Sequence, residues 1–281
     1  MSAILLDGKQ TASQLEHQVA ERVKSLTAIG ITPCLAVILV GEDKASQVYV
    51  RNKEKACERT GILSRSFRLD AGVTQQELLG LVDELNQNPV VHGILVQLPL
   101  PAHLDSTEIL NRIRFSKDVD GFHPMNAGLM TKGQKCLKSC TPAGVMYLLR
   151  TYGIEVSGMH AVVLGRSQIV GRPMATLLLN ASATVTVCHS RTDNLPELTR
   201  QADLLVAAVG HAGFVTPDMV RPGAVVIDVG IHRTEQGLRG DVMPEVAEIA
   251  SYMTPVPGGV GPMTVAMLMN NVAEAASWAV H

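Results

Sequence analysis

A lysine and a tyrosine lie four positions apart in the segment SQVYVRNKEKACERTGI. If this segment is helical, Tyr49 and Lys53 share one face, because residues i and i+4 are neighbours on a helix surface. An amine held beside an aromatic ring can transfer protons to and from a bound substrate. The alternative is an ordinary solvated lysine, which is the usual state of this residue. The pair therefore indicates chemistry only if other functional groups lie with it.

Two further polar features follow in the same half of the chain. Gln97 ends the apolar run GILVQLPLP, and a buried amide there would need hydrogen-bond partners. We expect it at the carboxyl end of a strand, where open α/β sheets bind ligands. Asp118 and Asp120 stand in DVDGF, next to Gly121. They are candidates for binding a ligand, although capping a turn is the simpler interpretation for a DxDG sequence.

The segment HAVVLGRSQIVGRPMATLLL has the order strand, glycine turn, helix. Gly165 ends the predicted strand and Gly171 opens the predicted helix, so the backbone can approach a pyrophosphate at the helix N-terminus. The spacing is G-x-S-x-x-x-G rather than the strict G-x-G-x-x-G, and only its position after a strand and before a helix strengthens it. An ordinary strand-to-helix turn is the alternative. We predict a dinucleotide site here.

The next strand, in ATVTVCHSRT, bears on the choice of cofactor. NAD sites usually place Asp or Glu at its end to bind the ribose hydroxyls. Here the strand ends in Ser190 and Arg191, and a guanidinium is suited to a 2′-phosphate. The pattern therefore favours NADP, with Arg166 of the glycine turn as a possible second contact. The alternative is that Arg191 is a solvated loop residue.

Short apolar runs alternate with helical patterns along the whole chain, which is typical of α/β proteins with parallel sheets. We predict helices at about 10–28, 43–60 and 74–87. We predict strands at Leu35–Val40, Ser64–Leu69, Gly93–Gln97, Ala161–Leu164, Thr184–Cys188, Leu204–Ala208 and Val225–Val229. Most of these runs are continuously apolar, as expected for a sheet covered on both faces. The predicted fold class is α/β, with two α/β domains, the second a Rossmann-type doubly wound parallel sheet.

A stretch rich in turn-forming residues between about 116 and 142 marks the predicted exit from the first domain. Thr141 and Pro142 are predicted to be the N-cap and the first residue of the following helix. The predicted domains are 1–139 and 140–261, with a final helix at 262–281 assigned to the first. The Pro/Gly-rich loop TPVPGGVGPMT precedes that helix. It is either an ordinary turn or a place where backbone approaches a ligand closely.

Composition excludes several classes of function. The 281 residues carry a formal net charge of −2, are 46% hydrophobic and 18% charged. We therefore expect two globular domains, and no binding to nucleic acid or to a membrane surface. The amino terminus lacks a secretory signal pattern, and no apolar run approaches the length of a membrane span. The five scattered cysteines predict reduced thiols and a cytoplasmic protein, with a redox or metal role as the minor alternative.

Taken together, these segments resemble the bifunctional methylenetetrahydrofolate dehydrogenase/cyclohydrolase family, the bacterial FolD type. The matching stretches run in the family's order over nearly the whole chain. They are YVRNKEKACERTGI, GILVQLPLP, KDVDGFHPMNAG, CTPAGVMYLL, GRSQIVGRPMA, VIDVGIH, GDV at 240–242 and TPVPGGVGPMTVAML. The resemblance implies two α/β domains facing a cleft, with NADP on the second domain and folate between them. It also implies a homodimer and a multifunctional role in one-carbon metabolism that supplies purine biosynthesis.

The resemblance also implies roles for individual residues. Lys53 matches the catalytic lysine and proton shuttle, Gln97 its partner, Tyr49 the aromatic residue against the p-aminobenzoyl ring, and Asp120 the residue that holds the pterin. Other expected folate contacts are Leu98, Pro257, Gly258 and Gly259. Expected cofactor contacts are Gly165, Arg166, Ser167, Val170, Gly171, Ser190, Arg191 and Ile231. No metal site is expected. The domain 1–139 with helix 262–281 is then the folate-binding catalytic domain, and 140–261 the NADP-binding domain.

The predicted reaction has two steps. Hydride passes from the folate methylene carbon to NADP, which requires chiefly alignment of the two partners. Water then adds to the methenyl product, with Lys53 moving the protons, to give formyltetrahydrofolate. Two alternatives remain at this stage. One is another two-domain NADP-dependent dehydrogenase of the shikimate type, and the other is a silent NADP-binding sensor.

Overall fold

The structure, a computed structural model, describes residues 2–235 and 237–278. The helices and strands follow one another in chain order as β1 (Ile4–Leu5), α1 (Gly8–Ala28), β2 (Cys34–Val40), α2 (Lys44–Thr60), β3 (Leu63–Leu69), α3 (Gln75–Gln87), β4 (Gly93–Val96), α4 (Ser106–Arg112), α5 (Pro124–Thr131), α6 (Cys140–Thr151), β5 (His160–Leu164), α7 (Gly171–Asn180), β6 (Thr184–Cys188), α8 (Leu195–Thr199), β7 (Leu204–Ala207), β8 (Val225–Asp228), β9 (His232–Thr234), β10 (Gly237–Arg239), β11 (Tyr252–Met253) and α9 (Val260–Ser277). The predicted α/β class is confirmed.

The described chain divides into two compact units. The first unit contains residues 13–140 and 265–278, and the second contains residues 2–12 and 141–264. The amino-terminal residues differ from the expected division, which placed them with the first domain. They cluster with the second unit because β1 pairs in parallel with β11, with Ile4 opposite Tyr252. A two-residue strand is too short to leave a periodic pattern in the sequence.

The first unit is built around a three-stranded parallel sheet of order β3-β2-β4. Every residue of the central strand β2 is buried, since helices and the neighbouring strands cover it on all sides. Its apolar core includes Leu78 and Val82 of α3, and Ile109 of α4. Helix α3 begins with a capping box, in which Thr74 and Glu77 each accept a hydrogen bond from the other's backbone N–H.

The second unit is built around a six-stranded parallel sheet of order β1-β11-β8-β7-β5-β6. Strand β5 lies between β6 and β7, so the chain leaves β5 in one direction and later returns to its other side. This reversal creates a crevice at the carboxyl ends of β5 and β7, where doubly wound sheets bind ligands. A short antiparallel hairpin, β9–β10, follows β8 outside the main sheet.

The seven strands predicted from the sequence are confirmed, each within one residue at either end. The predicted cap of the helix near residue 141 is wrong. Helix α6 begins at Cys140, so Thr141 lies in its first turn, and the Thr141 hydroxyl pairs with the Thr264 hydroxyl at 3.0 Å instead of capping. The final helix begins at Val260, slightly before the predicted start, and the predicted residues 279–281 lie outside the described residues.

Within the described residues, no helix has both the length and the apolar character needed to cross a membrane. All five cysteines lie in the described part of the chain, where each is buried and none is paired in a disulfide. The side chains of Cys34 and Cys57 lie in the first unit, and burial raises the pKa of the Cys57 thiol to about 12. A thiol with such a pKa stays protonated and unreactive near neutral pH.

Candidate active site

Helix α2 carries the predicted Tyr49–Lys53 pair. The helix starts where the Asp43 carboxylate accepts a hydrogen bond from the Ser46 N–H at 2.7 Å, and it ends at Gly61 in the left-handed conformation. Tyr49 is 47% exposed, so its ring is available to a ligand, and Lys53 is only partly exposed. The predicted arrangement on one open helix face is therefore present.

Lys53 contacts the predicted glutamine directly. The Lys53 Nζ donates a hydrogen bond to the Gln97 Oε1 at 3.0 Å. The Gln97 Nε2 donates to the Leu98 carbonyl oxygen at 2.6 Å, and this contact fixes which end of the amide faces the lysine. Gln97 follows β4, and its backbone N–H donates to the Ile38 carbonyl. A residue from a helix and one from a strand end are thus in contact, as the family resemblance implied.

The two aspartates of DVDGF have different environments. Asp118 is buried, and its carboxylate accepts hydrogen bonds from the His123 N–H at 2.8 Å and from the Asn126 amide at 3.0 Å. Asp118 therefore organises the turn, as the simpler interpretation expected. The Asp120 carboxylate, in contrast, accepts no hydrogen bond from any described residue, and it is partly exposed. This carboxyl is the one left available for a ligand.

The electrostatic surroundings of Asp120 raise its pKa to about 6. Desolvation by the surrounding protein is the largest cause, because it disfavours the charged form. The positive charge of Lys53 opposes the increase, and the negative charge of Asp118 adds to it. Lys53, Gln97 and Asp120 thus form one group in the first unit. A carboxyl with a perturbed pKa beside a lysine is typical of a functional site.

Two residues near this group had no predicted role. The Cys140 Sγ donates to the Val119 carbonyl at 3.2 Å, and burial, with the Asp120 charge as the next cause, raises the pKa of the thiol well above its usual value. The Asn271 amide donates to the carbonyls of Val119 and Lys138 at 2.8 Å each. Both side chains hold the backbone around Asp120. The stretch CTPAG contains Cys140, but its pattern indicates a helix start and no role for the thiol. No pattern in the sequence singles out Asn271.

The predicted glycine turn of the second unit has no space for side chains at its two glycines. Gly165 has a φ of 109°, and a Cβ there would lie 2.2 Å from the Ala208 carbonyl oxygen. A Cβ on Gly171 would lie 2.2 Å from the Gly165 carbonyl oxygen. Helix α7 begins at Gly171, so the turn leads directly into a helix N-terminus.

The remaining residues of the turn are arranged around that N-terminus. The Ser167 hydroxyl accepts hydrogen bonds from the N–H groups of Val170 and Gly171, at 3.2 Å each. Ser167 thus fixes the shape of the turn. The Arg166 side chain is exposed, and its carbonyl oxygen accepts a hydrogen bond from the Arg172 side chain at 3.3 Å. The turn is therefore closed by its own hydrogen bonds, and the exposed Arg166 side chain lies beside it.

The other expected cofactor residues also follow carboxyl ends of strands in the second unit. Ser190 and Arg191 follow β6 and are exposed, and the Arg191 guanidinium has no partner among the described residues. Ile231 follows β8 and is 49% exposed. Strands of one parallel sheet end at the same edge, so these residues and the glycine turn share that edge.

The Pro/Gly-rich loop lies between β11 and α9. Gly258 has a φ of 109°, and its carbonyl oxygen accepts a hydrogen bond from the Lys9 N–H at 3.1 Å. Gly259 packs so closely against Gly8 that a Cβ on Gly8 would lie 1.7 Å from the Gly259 carbonyl oxygen. Pro257 is exposed beside them, after a cis Val256–Pro257 bond. The start of α1 therefore holds this loop in place.

The fold and these groups define a class of protein. A doubly wound parallel sheet with a glycine turn before a helix is typical of dinucleotide-binding domains, and the first unit adds an amine bonded to an amide beside a carboxyl. The chain belongs to the tetrahydrofolate dehydrogenase/cyclohydrolase family. Residues 6–120 match the model of that family's catalytic domain, and residues 139–280 match the model of its NAD(P)-binding domain.

Similar proteins cover nearly the whole chain. The bifunctional protein FolD of Moorella thermoacetica is 56% identical over 278 residues, which is 98% of this chain and 99% of that protein. The solved structure of the bifunctional FolD methylenetetrahydrofolate dehydrogenase/cyclohydrolase of Campylobacter jejuni has 52% identity and a TM-score of 0.96, and it covers 98% of this chain and 99% of its own. The Trypanosoma brucei FolD structure, complexed with NADP and inhibitor, has 40% identity, a TM-score of 0.94 and coverage of 100% and 99%.

These matches confirm several predictions made from the sequence. The predicted family, its two enzymatic activities as dehydrogenase and cyclohydrolase, and a nicotinamide dinucleotide as cofactor are all borne out. The shikimate-type alternative is not favoured, because both family models and the full-length relatives agree on tetrahydrofolate chemistry. The roles of individual residues remain predictions.

Proposed function

We propose that the protein oxidises 5,10-methylenetetrahydrofolate with NADP and hydrolyses the methenyl product to 10-formyltetrahydrofolate, using Lys53 to move protons in the second step. The observation that carries this proposal is the 3.0 Å contact between Lys53 Nζ and Gln97 Oε1 beside the unpaired Asp120 carboxyl. The Trypanosoma brucei relative, solved with NADP, supports the choice of cofactor.

The dehydrogenase step needs alignment more than acid–base chemistry. NADP, when bound, accepts a hydride from the folate methylene carbon, and the lone pairs of the two folate nitrogens stabilise the cation left behind. The protein's contribution is to hold both partners at reacting distance. The turn of Gly165, Arg166, Ser167, Val170 and Gly171 is proposed to hold the pyrophosphate and the adjoining ribose. Ile231 is proposed to contact the cofactor from the end of β8.

Recognition of the 2′-phosphate is assigned to the end of β6. Ser190 and Arg191 are exposed there, and neither is an acid that would repel a phosphate. The free guanidinium of Arg191 can form paired hydrogen bonds to phosphate oxygens. This assignment explains why NADP, and not NAD, is the proposed cofactor.

The hydrolysis step needs a proton acceptor and then a donor. Water adds to the methenyl carbon, and Lys53 in its neutral amine form takes the proton that the water loses. A proton then goes from Lys53 to the ring nitrogen, and the bond between that nitrogen and the carbon breaks to leave the formyl group. Gln97 holds the amine in one orientation through its Oε1, since its Nε2 is fixed to Leu98. No metal ion is needed to activate the water in this scheme.

Folate binding is assigned to the remaining candidates. Asp120, when ionised, can accept two hydrogen bonds from the aminopyrimidine edge of the pterin. The exposed ring of Tyr49 is proposed to pack against the p-aminobenzoyl ring. Leu98 and the loop residues Pro257, Gly258 and Gly259 are also assigned to folate contacts. Accordingly, the first unit is proposed as the folate-binding catalytic domain, and the second unit as the NADP-binding domain.

The setting of the enzyme is part of the same proposal. We infer a cytoplasmic homodimer that supplies formyl groups for purine biosynthesis. The free, buried cysteines agree with a reducing compartment.

The deciding experiment follows NADPH formation and the methenyl chromophore together after methylenetetrahydrofolate and NADP are mixed with the protein. We expect NADPH to accumulate while methenyltetrahydrofolate rises transiently and then falls. NADPH formed from shikimate instead would favour the other class of dehydrogenase. NADP binding without turnover of either substrate would favour a silent sensor.

A further inference from the structure

A buried carboxylate in the second unit holds the loop that follows β7. Asp241 has no exposed surface, and its two oxygens accept hydrogen bonds from three consecutive backbone N–H groups. These belong to Val209 at 2.7 Å, Gly210 at 3.1 Å and His211 at 3.0 Å. The His232 Nε2 contacts the same carboxylate at 2.7 Å. Four partners compensate for the cost of burying this charge.

The direction of these hydrogen bonds determines which backbone groups of the loop point away from Asp241. In a trans peptide the N–H of one residue and the carbonyl of the preceding residue point in opposite directions. The N–H groups of 209–211 point at Asp241, so the carbonyls of Ala208, Val209 and Gly210 point away from it. The Ala208 oxygen indeed faces the glycine turn, 2.2 Å from where a Cβ on Gly165 would lie. Asp241 therefore sets the position of the backbone that packs against the turn.

A second buried carboxylate holds Asp241 itself. Asp228 ends β8 and accepts hydrogen bonds from the backbone N–H groups of Asp241 at 2.9 Å and Val242 at 3.0 Å. Gly240 has no space for a side chain, since a Cβ there would lie 1.8 Å from the Asp228 Oδ2. Gly230 is restricted in the same way by the Asp241 carboxylate, at 2.3 Å. The loops after β7 and β8 are thus joined through two acids at the sheet edge.

The location gives this arrangement a role in cofactor binding. Strand β7 lies next to β5, and the loop after β7 borders the crevice at the carboxyl ends of these two strands. The proposed function places the cofactor at this edge, and the inference rests on that placement. A loop with only hydrogen bonds to water would have to be ordered each time a dinucleotide binds, which costs free energy of binding.

We propose that Asp241 and His232 are positioning residues for the nicotinamide dinucleotide, because they hold the loop 208–211 against the glycine turn before the cofactor arrives. Asp241 and His232 hold the backbone of this loop, and they affect hydride transfer only by fixing the position of the loop. The hydrolysis of methenyltetrahydrofolate, which consumes no cofactor, does not depend on them.

The test compares the two activities in His232→Ala, His232→Gln and Asp241→Asn. In the alanine variant we expect the KM for NADP to rise about fivefold or more, while hydrolysis of supplied methenyltetrahydrofolate stays within about twofold of the parent, since only a cofactor loop has loosened. The glutamine variant keeps an N–H donor for Asp241 and should recover most of the affinity. Asp241→Asn should have the largest effect, because its amide N–H₂ would face backbone donors.

A matched control comes from the opposite edge of the same sheet. Asp203 also joins loops, since it accepts a hydrogen bond from the His160 N–H at 2.9 Å and pairs with Arg221. Asp203→Asn should leave the KM for NADP unchanged. The inference is overturned if His232→Ala leaves that KM within twofold, or if both activities fall together in it. A parent protein without dehydrogenase activity would instead overturn the proposed function.

Discussion

Three polar side chains of the first unit differ in how many of their hydrogen-bonding atoms are used within the protein. Gln97 uses both ends of its amide within the protein, Lys53 uses one of its N–H donors on Gln97, and Asp120 uses none of its acceptors. The amine is therefore oriented but still has donors for a substrate. The Asp120 carboxyl is left to accept hydrogen bonds from a ligand. Such partly unsatisfied groups are expected where a substrate completes the hydrogen bonds.

Replacing Lys53 by methionine should separate the two activities. Lys53→Met keeps the length and the apolar stem of the side chain but cannot transfer a proton. We expect loss of methenyltetrahydrofolate hydrolysis by a factor of roughly 100 or more, with NADP affinity unchanged. Hydrolysis is measured from the decay of the methenyl absorbance and NADP binding by titration. Lys55→Met, at an exposed site on the same helix, is the control, and retained hydrolysis in Lys53→Met would remove the lysine from the mechanism.

Replacing Asp120 by asparagine should change how stability depends on pH. The folded-state pKa of about 6 lies above the ordinary value of 3.8, so the folded protein holds this proton more tightly than the unfolded chain. That contribution is fully present below about pH 4 and is lost as the pH rises through 6. Asp120→Asn removes the titration, and it should gain stability relative to the parent between pH 4 and pH 7, by ~3 kcal/mol at most.

Urea unfolding of parent and variant at several pH values measures this difference. A constant difference across the range would contradict the raised pKa. The same variant should bind folate more weakly, because asparagine replaces one of the two acceptor oxygens by an N–H₂ donor and carries no charge. Stability gained together with substrate affinity lost is the expected behaviour of a residue kept for function.

Replacing Arg191 by alanine should affect one cofactor more than the other. In Arg191→Ala we expect the KM for NADP to rise roughly tenfold or more, as a charge-assisted contact to phosphate is lost. The KM for folate should change little, and so should that for NAD, which lacks the 2′-phosphate and serves as the internal control. Steady-state kinetics with both cofactors decides this. Equal effects on NADP and NAD would mean that another residue reads the phosphate.

At the scale of elements, the site depends on where helices and strands begin and end. The carboxyl end of β4 delivers Gln97, the third turn of α2 delivers Lys53, and the junction of β5 with α7 forms the glycine turn. Each junction is specified locally, by a cap or by a glycine without space for a side chain. The hydrophobic runs determine which helices and strands form. The residues at the ends of these helices and strands determine where the candidate functional side chains lie.

The junction of β5 with α7 should not accept even a methyl group. Gly171→Ala would place a Cβ 2.2 Å from the Gly165 carbonyl oxygen, so the turn must open. We expect a loss of stability on the order of 1–3 kcal/mol and at least tenfold weaker NADP binding. Thermal unfolding and NADP titration measure the two effects. Gly80→Ala, inside α3 where the added methyl meets nothing within 4 Å, should be neutral or stabilising. Similar behaviour of the two variants would contradict a close-packed turn.

At the scale of the whole molecule, the six-stranded sheet ends in a strand with only one neighbour among the described residues. Strand β6 is the last strand in that sheet, and its Val187 is 39% exposed. Proteins usually cover or blunt such edges, and association of two copies is one way to do so. We expect light scattering after size-exclusion chromatography to give twice the chain mass of 30.0 kDa. A mass of one chain at micromolar concentration would contradict the proposed homodimer.

The sequence by itself determined most of the fold and the family. Continuous apolar runs such as CLAVILV and VVID, rich in β-branched residues, are typical of covered parallel strands, and the predicted strands agree with the structure within one residue. The glycine turn was found because its position between a strand and a helix is a local property. Tyr49, Lys53 and Gln97 were candidates from the sequence, and the structure brings Lys53 and Gln97 into contact.

The tertiary structure decided what depends on contacts between distant residues. The sequence DVDGF does not show which of Asp118 and Asp120 is bonded within the turn and which is left for a ligand. That difference depends on which carboxylate accepts the hydrogen bond from the His123 N–H. The hydrogen bonds of the Asp241 carboxylate could not be predicted from the sequence either. Its partners lie some thirty positions earlier in the chain, in a loop with no pattern of its own. Local patterns depend on neighbouring residues in the sequence. The hydrogen-bond partners of a buried charge, in contrast, depend on which distant segments come together when the strands form a sheet.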